Sequence, residues 1–199
     1  MMKKYRFICM LVLGMLAMCS CGGSETGDPQ MTVSQEIAAD VPENIIPAEA
    51  MEYSLLFYPV PEGFAAANDN TDMQAVYVSE TQQDYSYISY LRQANDRTLD
   101  YMTMTADDYK NMFALSLETE VGVEGCVQEE KDGWRQVDLI LTYEKDGISY
   151  KTWQYYYITD KYIFSIAYVQ AGDAAWENAF LESAAQAMPK SIVESTSGN

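Results

Sequence analysis

From Tyr53 onward, apolar and polar positions fall into short alternating segments. Alternation with period two marks half-buried strands. Tyr53–Tyr58 reads as the first strand, and Pro59 and Pro61 in "YPVPEGF" stop its ladder. "AVYVSE" and "YSYISYLR" come next as strands. The period then changes. Thr105 can cap a helix, with Asp108 at the capping-box position and acidic residues suited to the positive end of the helix dipole. Tyr109, Met112, Phe113 and Leu117 would share one face of that helix, which should stop near Glu120, before Gly122. "EEKDGWRQ" and "EKDGISY" each place Asp-Gly between apolar segments, a strong hairpin signal, and "YITDKYIF" supplies a third turn. The chain closes with a helix in "GDAAWENAFLESAAQAMPK". There Asp173 can cap, Trp176, Phe180, Ser183 and Ala187 share a face, and Pro189 marks the end.

The hairpin turns allow a register test. A two-residue Asp146-Gly147 turn sets Lys145 opposite Ile148, Leu141 opposite Thr152 and Val137 opposite Tyr156. Val137, Leu139, Leu141, Tyr143, Ile148, Tyr150, Tyr156 and Ile158 then share one face, and Ile140, Trp153, Tyr155 and Tyr157 the other. A turn at Asp160-Lys161 adds Phe164, Ile166 and Tyr168 to the second face. Both faces are apolar over part of their area, whereas a sheet wet on one side alternates more cleanly. The expected fold class is therefore α+β: an antiparallel sheet with helices on both faces, in one domain from residue 51 to 192.

The N-terminus has a different texture. Lys3, Lys4 and Arg6 precede an apolar run of twelve residues, Phe7–Met18. A membrane-spanning helix needs roughly 20, so the run fits a signal peptide rather than a span. It ends in "LAMCSCGG" without an A-x-A-like site. Ser20 before Cys21 and the glycines after it resemble the lipobox of bacterial lipoproteins, which implies residues 1–20 as signal peptide and Cys21 as the lipidated new N-terminus. Residues 21–50 read as an acidic tether rich in Ser, Thr, Gly, Pro, Asp and Glu, and residues 193–199 as a tail. The location this implies is extracytoplasmic, at the membrane surface.

The chain carries 12 basic and 30 acidic residues; without residues 1–20 it keeps nine basic ones, a net charge of −21. Such a surface repels nucleic acid and anionic lipid alike, so the membrane contact rests on the lipid at Cys21. There is no His, which excludes Ser-His-Asp and Cys-His catalysis and His-ligated zinc. Cys126, in the strand "VGVEGCVQ", reads as an inert buried thiol with no base to activate it. No cofactor motif is present.

The order strand, Pro-x-Pro-Glu-Gly-Phe turn, two strands, helix, antiparallel meander and terminal helix with W-x-x-x-F resembles the PsbP-like superfamily, which includes photosystem accessory subunits, Ran-binding nuclear proteins and bacterial lipoproteins. The matching pieces are "FYPVPEGF", "TADDYKNMF", the hairpin series and "WENAFLESAAQAM". The resemblance implies an α/β/α sandwich and a non-enzymatic accessory or binding role, toward an envelope protein or an exported ligand. Other readings rest on particular residues. "NDNTD" places Asn68, Asn70 and Asp72 like the start of a calcium loop, but Met73 and Ser79 stand where Gly and the closing Glu belong, so a polar turn is expected and a divalent-cation module is the outside reading. "YKTWQYYYI" could line a groove by stacking or simply fill the core. Glu129-Glu130 and Asp107-Asp108 would be the carboxylates of a hydrolase acting on envelope glycans, although their places, beside a turn and at a helix start, suit solvated surface.

Overall fold

The computed structural model describes residues 53–190. The expected leader, Cys21, and the expected tether and tail lie outside them. The described residues form nine strands: β1 Leu55–Phe57, β2 Phe64–Ala66, β3 Gln74–Ser79, β4 Tyr87–Ala94, β5 Val121–Lys131, β6 Trp134–Lys145, β7 Ile148–Ile158, β8 Tyr162–Ala171 and β9 Met188–Lys190. Helix α1 covers Ala106–Leu117 and α2 covers Glu177–Gln186. Seven strands form one antiparallel sheet in the order β2-β3-β4-β8-β7-β6-β5, while β1 and β9 pair separately.

The central meander has the expected register: Lys145 pairs with Ile148, Leu141 with Thr152, Val137 with Tyr156, and Trp153 with Tyr168. Its two sets of side chains enter two cores. Val137, Leu139, Leu141 and Tyr156 pack with Tyr109, Phe113 and Leu117 of α1. Trp153, Tyr157, Phe164, Ile166 and Tyr168 pack with Phe180 and Ala184 of α2. Each buried aromatic of this kind stabilises by roughly 1.5–3 kcal/mol, so the two helices are held by tertiary packing more than by propensity.

The α1 capping box forms as the sequence implies. Asp108 N donates to Thr105 Oγ1 at 3.2 Å, and Thr105 N donates to the Asp108 carboxylate at 2.8 Å. The helix ends earlier than expected, because Glu118 adopts the left-handed conformation at its C-terminus. At α2 the expectation fails. Asp173 does not cap; the helix starts at Glu177, and Trp176 precedes it without a side-chain cap. Tertiary contacts hold Trp176 in place. Its backbone N–H donates to Gln170 Oε1 at 2.9 Å and its indole N–H to Asp84 Oδ2 at 2.7 Å, and its ring lies 4.7 Å from that of Phe64. Pro189 does not merely end the helix. It is buried in β9 opposite Leu56 of β1, where a missing N–H is tolerated at the edge of a two-stranded ribbon. β2 has no counterpart in the sequence reading, being too short to show a period.

Two edges of the fold are specialised. β5 ends the sheet and is broken by a bulge between Val123 and Gly125. Next to the bulge, Glu124 lies 3.8 Å from Lys151 Nζ, which also reaches Glu177 at the start of α2 at 3.7 Å. At the other end of the chain, Arg92 donates to Ser54 O at 2.8 Å and to Asp72 Oδ2 at 2.9 Å, and it covers the Tyr162 ring. This ties the start of the described chain onto β4.

Gly63 has φ +88°, and a Cβ there would lie 2.9 Å from Trp176 Cη2. Gly63→Ala should therefore cost about 2 kcal/mol or more in urea unfolding. Gly147 has φ +75° with nothing near its missing Cβ, so Gly147→Ala should cost only about 1 kcal/mol. Equal losses would show that the Trp176 contact is compliant.

Partial burial pushes the Asp84 carboxyl up, but hydrogen bonds from Ser86, the Trp176 indole and Ser79 outweigh it and hold the group below its ordinary value. A depressed carboxyl contributes stability above its unfolded pKa and loses it as pH falls through the folded one. The stability gap between wild type and Asp84→Asn should narrow on acidification below about pH 4; a gap that does not change with pH would contradict this.

Candidate functional site

A groove runs along the α1 side of the sheet. Phe113 and Leu117 of α1 and Leu141 of β6 form one wall, and Leu91 of β4 lies across from them. The bottom is made of small residues, Ser89, Ser165 and Ala167, from neighbouring strands β4 and β8. The groove holds about 40 Å³ of enclosed space and is otherwise open to solvent. The β4–β8 register explains the small floor: Ser89 pairs with Ala167 and Leu91 with Ser165, while the intervening Tyr90, Phe164 and Ile166 enter the α2 core. Over Phe164–Tyr168, β8 thus presents its large side chains to the α2 core and its small ones, Ser165 and Ala167, to the groove.

Polar atoms gather in the floor and at one end. Gln154 is 1% exposed, and its amide donates to Ser165 Oγ at 2.8 Å and to Ile166 O at 3.2 Å. Thr152 is 4% exposed; its hydroxyl faces the Tyr143 phenol but makes no well-formed hydrogen bond. Burial pushes the Tyr143 phenol up to about 12, although contacts with Tyr87 and Thr152 pull it down. Burial raises Tyr87 further, helped by the neighbouring Tyr143. All three hydroxyls stay protonated at neutral pH. Among the described residues, no Asp, Glu, Lys or Arg lines the groove.

The sites suggested by the sequence are not brought together, and all lie elsewhere except the stretch "YKTWQYYYI", which reaches the groove through Thr152 and Gln154. Cys126 is half-buried against the α1 core, and burial pushes its thiol up, so it stays a thiol. In "NDNTD", the Asn70 side chain exchanges two hydrogen bonds with the Val76 backbone, Thr71 Oγ1 accepts from Met73 N and Gln74 N, and Asp72 is taken by Arg92. These bonds build a turn. Among the described residues no three His, Cys, Asp or Glu side chains are grouped to hold a metal ion. Asp108 is engaged in its capping box, Asp107 is exposed beside it, and Glu129 pairs with Lys131 on the exposed part of β5. In "YKTWQYYYI", Trp153, Tyr156 and Tyr157 are buried in the two cores, and Tyr150 stacks on Tyr143 at 5.0 Å. That strand is core rather than an aromatic platform.

Neither a family model nor a curated protein sequence matches the chain. Among solved structures, it is similar to the solution structure of cyanobacterial PsbP (CyanoP) from Synechocystis sp. PCC 6803, with a TM-score of 0.53 over 77% of this chain and 98% of that one. The domain has a PsbP-like fold. At 10% identity the likeness is one of backbone path, and it agrees with the family resemblance drawn from the Pro-x-Pro-Glu-Gly-Phe and W-x-x-x-F segments. In this PsbP-like chain those two segments meet, since Gly63 and Phe64 pack directly on Trp176 and Phe180.

A buried hydroxyl without a good partner is costly. Thr152→Val keeps the shape of the side chain and should raise stability by about 1 kcal/mol, read as a higher urea midpoint. A loss of stability would show that Tyr143 satisfies the hydroxyl.

Proposed function

We propose that the chain is an extracytoplasmic binding protein, non-enzymatic, held at the membrane by a lipid on Cys21. In this reading residues 51–192 form one α/β/α domain with a helix against each face of the sheet. Residues 21–50 hold that domain away from the membrane. The observation that carries the binding role is the groove beside α1: a concave, largely apolar surface with a few convergent polar groups suits ligand capture. Its uncharged lining supports a binding role over hydrolysis, because glycan cleavage needs two carboxylates facing one bond. The lipid anchor rests on the basic, apolar and Ser-Cys-Gly layout of the N-terminus.

An alkyne-bearing palmitate analogue fed to intact cells should label the protein and leave Cys21→Ala unlabelled. A photo-cross-linking residue placed at Leu91 should capture a ligand or envelope partner in the labelled form and lose it in Cys21→Ala. An unlabelled wild type would remove the anchor. Turnover of an envelope glycan by the full chain, abolished by one carboxylate substitution, would remove the non-enzymatic reading.

A further inference from the structure

The chemistry of the groove narrows what it can take. The chain carries a net charge of −18, yet among the described residues no charged side chain lines the groove. An anionic ligand would have to enter against the field of the whole chain and find no cation inside. A cationic ligand would be attracted to the surface but would find no carboxylate within. Burying either charge unpaired is costly. A purely apolar ligand is also a poor match, because it would offer no partner to the Thr152 hydroxyl, which is already shut off from solvent without a well-formed hydrogen bond.

We propose that the groove binds a neutral amphiphile: a slender aliphatic or flat apolar body with one hydroxyl or carbonyl. The apolar body would lie between Leu91 and the Phe113 and Leu141 wall, over Ala167. The polar end would meet Thr152 beside Tyr143. A hydroxyl on Thr152 can donate to a carbonyl or accept from an alcohol, so both kinds of head group fit. This inference rests on the binding role proposed above and specifies its ligand.

The test is a titration of the isotope-labelled full chain with 1-octanol, octanoate and octylamine at neutral pH, followed through leucine methyl resonances. With octanol, the methyl groups of Leu91, Leu117 and Leu141 should shift saturably, while Leu56, in the α2 core, stays still. The two charged probes should bind about tenfold more weakly or worse, a difference of about 1.4 kcal/mol. Ala167→Leu should fill the floor and abolish the octanol shifts; if that variant does not fold, Ser89→Leu, at a half-buried position, serves instead. Thr152→Val should weaken octanol while leaving the chain folded. Equal affinity for all three probes at the groove would overturn the proposed ligand class but leave the binding role standing. Octanol binding that survives the filled floor, or no groove shift with any probe, would overturn the site itself. Loss of the Leu91 cross-link in cells, by contrast, bears on the binding role.

Discussion

The ladder between β4 and β8 joins the two halves of the main sheet. It runs for eight residue pairs, from Tyr87 with Val169 to Ala94 with Tyr162, and its partners are separated by about half of the described chain. On one side of it stand β2 and β3, on the other the meander β7-β6-β5. Because β4 must pair with the last long strand, the next strand in sequence, β5, is sent to the far edge. The connection between them has to travel across the sheet, and α1 is what it carries. The placement of the helix, and with it the groove, is set by this one long-range pairing. Such a contact can form only after a large loop closes, so the sheet should assemble around the locally paired meander before β4 docks.

The same ladder divides the labour between the faces. Tyr90, Phe164, Ile166 and Tyr168 all enter the core beneath α2. Their neighbours Ser89, Ser165 and Ala167 leave the opposite face low. A helix resting on that face packs on the larger side chains of β6 and β7, among them Val137, Leu139, Leu141 and Tyr156, and a trough remains beside it. The trough is thus a product of side-chain size on two adjacent strands, not of any insertion or loop.

Much of the architecture was legible in the chain because it is local. The Asp146-Gly147 turn set the register of β6 and β7, and the Thr105–Asp108 box located the start of α1 within a residue. What escaped was decided at a distance. Asp173 looked like a cap, but Trp176 is held by Asp84 and Gln170 from other elements, and the helix begins after it. Pro189 looked like a terminator, yet it is buried opposite Leu56. The groove went unread for the same reason. The alternation of small with large residues in β8 was visible, but the pairing of Ser89 with Ala167 across two strands far apart in sequence was not.

The bulge in β5 has a consequence for how copies of the chain behave beside one another. An outer strand of eleven residues with free backbone groups is a template on which a second chain can zip. Here the extra residue at Glu124 breaks the repeat, and Glu129, Glu130 and Lys131 stud the far end of the strand. A second strand could lie flat against only a fragment of it, where charged side chains would have to be desolvated. The β5 edge is therefore a poor template for a neighbouring copy packed side by side.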